Sequence, residues 1–292
     1  MASINITKDS NIIVTGSNGQ LGLAFYEKMK FLNNAHFLDK KNLDITNKKN
    51  ISDVFKQYNP DIVINTAAYT NVDKAESERE QALLINAKSL NFLTELCAKS
   101  NSLLIHFSTD YVFDGQKSES YTETDKTNPI NYYGKTKLLG EEIISDSDCR
   151  YLIFRISWLY SDYGKNFFKT ISRLIQEKSY VNVVDDQEGV PTTADFVASH
   201  VTDLIVDSRL SEHHFNELYH LAPKGQATWF EFARNIKNYK HTSCEIKPTA
   251  SEEFITKARR PLNSKLSPDK FTNTFGVDIE GWEFYYKQLI NN

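Results

Sequence analysis

The chain has 292 residues, 40% of them hydrophobic and 25% charged, with a formal net charge of -4 and a pI near 6.0. That length gives ample core for one large domain or two unequal ones. The mildly acidic balance, with basic residues scattered rather than gathered into runs, speaks against a nucleic-acid or polyanion binder.

Asn11 to Thr15 (NIIVT) is a short β-branched run ending at Gly16, the pattern of a strand buried on both faces. Gln20 to Lys30 then carries Leu21, Leu23, Ala24, Phe25 and Met29 near helical spacing. Ala35 to Leu38 reads as a second strand, Ile51 to Tyr58 as a helix and Asp61 to Asn65 as a third strand. A long amphipathic helix at Gln81 to Lys99 leads to a strand at Leu103 to Phe107. After a polar loop come a helix from about Tyr132 to Ser145 and a strand at Tyr151 to Arg155. Strand and helix alternating at short intervals mean βαβ units and a parallel sheet. Beyond Ser157 the alternation loosens. Phe167 to Gln176, Thr193 to Val206 and Trp229 to Asn238 read as helices and Val181 to Val184 as a strand, while Pro223, Pro248, Pro261 and Pro268 interrupt the remainder. The expected fold is α/β, a Rossmann-type doubly wound parallel sheet over 1–157 and about 181–206, with a smaller, partly interleaved substrate lobe from about 158–180 and 207–292.

Cys97, Cys149 and Cys244 are far apart and odd in number, with neither metal-ligand nor disulfide spacing. A reducing compartment and no metal site are expected. The N-terminus lacks a basic start followed by an apolar run, and no stretch approaches about 18 apolar residues. Neither a signal peptide nor a membrane span is expected, and the cytoplasm is the default.

Gly16-Ser17-Asn18-Gly19-Gln20-Leu21-Gly22 spaces its glycines G-x-x-G-x-x-G between the first strand and the first helix. Missing side chains let the backbone turn tightly and approach a diphosphate, which the helix N-terminus attracts. Asp39 ends the second strand, where an acid meets the adenosine ribose; Lys40 and Lys41 after it would instead attract a 2′-phosphate. NADH and NADPH both remain open on these residues. Asp44 suits the adenine edge or the cap of the next helix. Thr66, Ala67, Ala68 and Tyr69 follow the third strand, with small residues where backbone passes close to a cofactor.

Ser108-Thr109-Asp110-Tyr111 lies past the fourth strand, at the sheet edge where such folds place ligands. A helix turns once in about 3.6 residues, so Tyr133 and Lys137 project from one face. An ammonium beside a phenol lowers the phenol's pKa from about 10 and makes it a proton donor to a developing alkoxide. Thr109 offers a hydroxyl to the same carbonyl.

Thr109, Tyr133 and Lys137 form a constellation that resembles the extended short-chain dehydrogenase/reductases. More narrowly, GSNGQLG, DIVINTAAYTNVDKAE, STDYVFDG, NPINYYGKTKLLGE, RISWLY, DDQEGVPT and ARRPLNS, in that order between residues 16 and 264, resemble the dTDP-4-dehydrorhamnose reductase family. The resemblance implies hydride transfer from NADPH or NADH to the 4-keto group of dTDP-4-dehydro-L-rhamnose. It implies Tyr133 as proton donor, Lys137 as the group that lowers its pKa and holds the nicotinamide ribose, and Thr109 on the carbonyl oxygen. Asp110 and Tyr111 would contact the sugar or its diphosphate, and Trp158 would flank the sugar, although a core tryptophan fits that position equally. Arg260 and Asn263 would grip the diphosphate, with an ion pair between lobes as the alternative for the arginine. Dehydratases of the superfamily carry an Asp-Glu pair where this chain has Asp110-Tyr111, and no acid/base pair for an epimerase step is evident. The remaining alternatives are a reductase or epimerase/reductase of a UDP-linked 4-keto-6-deoxysugar and a non-catalytic role like that of the methionine adenosyltransferase β subunit. Some relatives form homodimers, in cases with magnesium, and a homodimer is one assembly the resemblance implies.

Overall fold

The computed structural model describes residues 6–210, 212–240 and 242–291. The first half runs β1 (Ile12–Thr15), α1 (Gln20–Met29), β2 (Ala35–Leu38), α2 (Lys48–Tyr58), β3 (Ile62–Asn65), α3 (Val72–Ala75), α4 (Arg79–Leu83), a π-helical turn (Leu84–Lys88), α5 (Ser89–Ser100), β4 (Leu103–Thr109), α6 (Tyr132–Ser145) and β5 (Arg150–Ile156). The second half runs β6 (Leu159–Tyr160), α7 (Phe167–Glu177), β7 (Tyr180–Val184), β8 (Glu188–Gly189), β9 (Thr192–Thr193), α8 (Ala194–Val206), β10 (Glu217–His220), β11 (Ala227–Thr228), α9 (Trp229–Lys240), β12 (Glu245–Thr249), α10 (Asp269–Phe275) and α11 (Trp282–Asn291). Among the described residues no helix is long and apolar enough to cross a membrane.

The main sheet has six parallel strands in the order β2-β1-β3-β4-β5-β10. The chain steps outward from β1 to β2 and then returns to the other side of β1 for β3. At such a switch point the loops past the carboxyl ends diverge and leave a crevice. Both faces of the sheet are covered, which is why β1, β3 and the start of β4 are mostly apolar. Ile12 and Val14 pack with Phe25 of α1 and Val197 and Val201 of α8, while Ile13 faces the opposite cluster with Val54 of α2, Leu93 of α5 and Ile144 of α6.

A separate apolar cluster gathers Phe168 and Ile171 of α7, Val181 and Val183 of β7, Phe232 and Ile236 of α9, and Trp282 and Tyr286 of α11. Here the structure draws the lobes differently from the sequence. β7 pairs with β12 outside the main sheet, and its alternate residues Tyr180 and Asn182 are exposed, as in a strand with one face open to water. α8 packs on α1 instead. Glu217–His220, expected in the second lobe, is the sixth strand of the main sheet, with buried Tyr219 against Phe271 and Phe275 of α10.

Candidate active site

A cleft of about 730 Å3 opens past the carboxyl ends of β1, β3 and β4 and reaches the second lobe. At one end Gly16, Asn18, Gly19, Gln20 and Leu21 line it, with Ala67 and Ala68 beside them. Gly16 has φ +62°, and a Cβ there would lie 2.9 Å from the Ala67 backbone, so a side chain is excluded on both counts. Bare backbone therefore meets the cleft at the N-terminus of α1, whose N-cap Gly19 brings no side chain to the first N–H groups. Gln20 ties this end to the second lobe: its Oε1 accepts from Ser161 Oγ at 2.9 Å and Asn166 Nδ2 at 2.6 Å.

Thr109, Asp110, Tyr111, Tyr133 and Lys137 line the other part of the cleft. Asn131 caps α6, its Oδ1 accepting the Gly134 N–H at 2.7 Å, and Gly134 lies directly against the Tyr111 carbonyl. That close approach sets Tyr133 beside the end of β4, where its ring meets Tyr111 edge-on with centroids 6.2 Å apart. The Thr109 hydroxyl donates to Asp110 Oδ1 at 2.9 Å and accepts from the Tyr111 N–H at 3.2 Å, while Ser157 Oγ donates to Asp110 Oδ2 at 3.1 Å. Burial raises the Asp110 carboxyl to about 6, against hydrogen bonds from Ser264, Thr109 and Ser157.

The expectation that Lys137 lowers the pKa of Tyr133 is corrected by the geometry. Lys137 Nζ donates to the Phe107 carbonyl at 2.6 Å and lies 3.1 Å from His106 Nε2, so the amine is drawn down onto β4. Burial lowers its own pKa to about 8, with Glu141 opposing. Burial pushes the Tyr133 phenol up to about 12, with the Thr109 hydroxyl opposing and the Asp110 charge adding. The phenol thus carries its proton throughout the neutral range.

Other expected site residues lie elsewhere or serve the fold. Asp39 is outside the cleft: its Oδ1 accepts from Lys41 N and Asn42 N, both at 3.1 Å, and so closes its own turn. Asp44 does line the cleft. Burial raises its pKa, but the Thr46 hydroxyl and N–H outweigh that and hold the carboxyl below its usual range. The cap of α2 is Asn47, not Asp44. Gly22 is buried in α1 against the Gly16 carbonyl, and Tyr69 turns its hydroxyl to Glu78 at 2.7 Å. Arg260 pairs with Asp73 of α3 at 2.8 Å, the alternative the sequence left open, and lies outside the lining. Asn263 also lies outside, its Nδ2 donating to the Glu119 carbonyl at 2.8 Å and its Oδ1 accepting the Lys265 N–H at 3.0 Å.

Trp158 lines the cleft with one ring face already taken. Trp229 stacks on it, centroids 3.5 Å apart and planes within 5°, and Gly189 leaves the space that the indole fills. Its φ of +43° is strained for a bulky residue, a cost of about 1–3 kcal/mol that concentrates at functional walls. Trp229, Lys40 and Lys165 also line the cleft. Sequence reasoning missed Trp229 and Lys165 because nothing in a helical run or a polar loop marks which side faces the crevice.

By its fold the chain is a Rossmann-type protein of the reductase kind, carrying a tyrosine and a lysine one helical turn apart at the crevice. A family profile described as RmlD substrate binding domain matches residues 10–292. The dTDP-4-dehydrorhamnose reductases of Sinorhizobium fredii and Salmonella typhimurium are 37% and 35% identical, over 96% of this chain each and 96% and 97% of theirs. The chain belongs to the dTDP-4-dehydrorhamnose reductase family. The crystal structure of the Bacillus anthracis dTDP-4-dehydrorhamnose reductase in complex with NADP is similar with a TM-score of 0.91 at 36% identity, over 97% of this chain and 99% of that one.

Proposed function

We propose that this chain reduces the 4-keto group of dTDP-4-dehydro-L-rhamnose to give dTDP-L-rhamnose, using NADPH, with Tyr133 as the proton donor. The observation that carries this reading is the half-buried phenol of Tyr133 beside Thr109, in a cleft whose far end is the bare Gly16 turn.

The residues fit a dinucleotide. The Gly16–Ala67 approach leaves backbone where a Cβ would intrude, and Gly16, Asn18, Gly19, Gln20 and Leu21 at the N-terminus of α1 would hold the diphosphate. Lys40 lines the same end and offers a cation to a 2′-phosphate, in keeping with the NADP in the Bacillus anthracis relative. When bound, the cofactor supplies a hydride to the carbonyl carbon.

The chain's own residues do the rest. Tyr133 orients the carbonyl oxygen through its hydroxyl, and Thr109 joins it once its own hydroxyl turns from Asp110. Tyr133 Oη gives up its proton as negative charge grows on that oxygen. Lys137, one turn along α6 and lining the same cleft, would hold the nicotinamide ribose. Buried Tyr111 occupies the place of a dehydratase's second carboxylate, so no second acid is at hand to expel a hydroxyl. The free edge of Trp158 and the second lobe's wall would flank the sugar. Cys97, Cys149 and Cys244 are all free and buried, which suits a reducing compartment, and we place the reaction in the cytoplasm. These relatives favour neither the UDP-sugar reading nor the regulatory-subunit reading.

The test follows NADPH absorbance with the purified chain and dTDP- or UDP-linked 4-keto-6-deoxysugars side by side. Turnover with the dTDP sugar is expected. NADPH binding without turnover, or turnover with the UDP sugar alone, would overturn the reading.

A further inference from the structure

Three adjacent strands of the main sheet place polar side chains in one row. Thr15 of β1 is in register with Asn65 of β3, and Asn65 with His106 of β4. Their strand neighbours two residues back, Ile13, Val63 and Leu104, belong to the cluster beneath α2, α5 and α6, so the row faces α6. Hydrogen bonds run its length. The Ala67 N–H donates to Thr15 Oγ1 at 3.2 Å, and Thr15 Oγ1 donates to Asn65 Oδ1 at 2.7 Å. Asn65 Nδ2 lies 3.1 Å from His106 Nδ1, and His106 Nε2 lies 3.1 Å from Lys137 Nζ. Lys137 is only 2% exposed. Apolar residues would build the same sheet without having to satisfy a buried polar row, so the row calls for a purpose.

Donor and acceptor counting supplies one. Burial and the Lys137 charge hold His106 well below the usual imidazole range, so the ring is neutral and carries a single N–H. In the arrangement described, Asn65 donates to Nδ1. The ring hydrogen then sits on Nε2 and points at Lys137, which accepts it only as an uncharged amine. With Lys137 charged, the ammonium donates to Nε2, the ring hydrogen moves to Nδ1, and the Asn65 amide turns over to accept it. Asn65 then donates to Thr15, which already accepts from Ala67 N–H, and the threonine hydrogen is redirected.

Other ionisable groups near Lys137 do not lie in this row. On α6 they are Tyr133 and Glu141; Glu141 accepts from Arg155 of β5, which in turn lies 3.5 Å from His220 of β10. Past β4 they are Asp110 and Tyr111. α3 and α4 meet the start of α6, where Glu76 accepts from the Tyr132 N–H, and the π-helical turn presents uncharged Asn86 to Thr136.

We infer that His106 is a positioning residue for Lys137, and that the Thr15–Asn65–His106 row reverses its donor direction when Lys137 gains or loses a proton, carrying the state of the amine to the Gly16–Ala67 turn. The inference rests on the role given to Lys137 in the proposed reduction. Gly16 and Ala67 approach within van der Waals distance, so the far end of the row lies beneath the backbone that would hold the dinucleotide.

The decisive measurement is nitrogen NMR of the full chain with labelled histidine, from about pH 6.5 to 9.5, with His106→Gln used for assignment. The Nδ1–H tautomer is expected at the acid end and the Nε2–H tautomer at the alkaline end, the exchange centred where Lys137 titrates and abolished in Lys137→Met. A single tautomer across the range in the unsubstituted protein would overturn the inference. This measurement needs no turnover, so it stands apart from any failure of the proposed reaction. In kinetics, losing a hydrogen bond to a charged group corresponds to roughly tenfold or more, so His106→Phe should lower kcat by that factor and displace the pH–rate profile, with His106→Gln recovering part of both. A His106→Phe profile that overlies the unsubstituted one after scaling would also overturn it. Should His106→Phe fail to fold, the tautomer measurement still decides.

Discussion

Asn86 holds the backbone of Tyr69 from both sides, its Oδ1 accepting the Tyr69 N–H at 2.8 Å and its Nδ2 donating to the Tyr69 carbonyl at 3.0 Å. The same amide donates to Thr136 Oγ1 at 3.1 Å, so one buried side chain ties the loop after β3 to α6. It sits in the π-helical turn between α4 and α5, an irregularity that such turns tend to show at working sites. Asn86→Ala leaves several buried groups unpaired, and a loss of about 2–4 kcal/mol is expected in urea unfolding. NADPH binding should weaken with it, because Ala67 and Ala68 are on the released loop. A stability change within about 0.5 kcal/mol would show that the clamp contributes nothing.

Tyr133→Phe removes the phenolic proton and little else. General acid catalysis of this kind contributes roughly 10²–10⁴-fold, so kcat should fall by that order while NADPH affinity, read by fluorescence titration, stays within about twofold. Turnover close to that of the unsubstituted protein would take Tyr133 out of the chemistry.

Asp110 ties stability to pH. Its carboxyl binds a proton more tightly in the folded chain, with a pKa raised to about 6 from 3.8. It therefore favours folding below about pH 4, and that contribution is lost as pH rises through about 6. The unfolding free energy of Asp110→Asn relative to the unsubstituted protein, followed by urea or thermal unfolding at each pH, should climb between those limits by about 3 kcal/mol in all. A difference that stays constant with pH would contradict the assignment.

Lys40, not Asp39, lines the cleft, so the two neighbours should separate cleanly. Lys40→Ala should weaken NADPH by about two- to fivefold and leave NADH nearly unchanged, as suits one exposed cation on a phosphate. Asp39→Ala should lower Tm by opening its turn, without altering the preference. A large, selective loss of NADH affinity in Asp39→Ala would restore the acid to the cofactor site.

Much of the architecture was legible because its signals are local. The apolar runs at β1, β3 and β4 and the glycines at Gly16 and Gly19 announce strand, turn and helix within a few residues, and α6 lies where its sequence reading put it. What sequence could not supply was the direction of side chains. Tyr133 and Lys137 do share a face of α6, yet the amine is bound by the Phe107 carbonyl and His106, partners about thirty residues away whose position depends on sheet register. Arg260 and Asn263 read as phosphate ligands for the same reason: their chemistry suits an anion, but Asp73 and the Glu119 carbonyl reach them first. β10 escaped notice because four residues with a charge and a histidine look like no buried strand until β5 and α10 enclose them.

The sixth strand has a further consequence, for synthesis. β5 (Arg150–Ile156) gains its outer neighbour only after about sixty further residues, with α7, β7 and α8 among them, have left the ribosome. Until Glu217–His220 emerges, a seven-residue strand edge with Leu152, Ile153 and Phe154 at its centre is open to any other nascent copy. A chain cut off shortly after β5 should therefore precipitate rather than fold as a small independent unit.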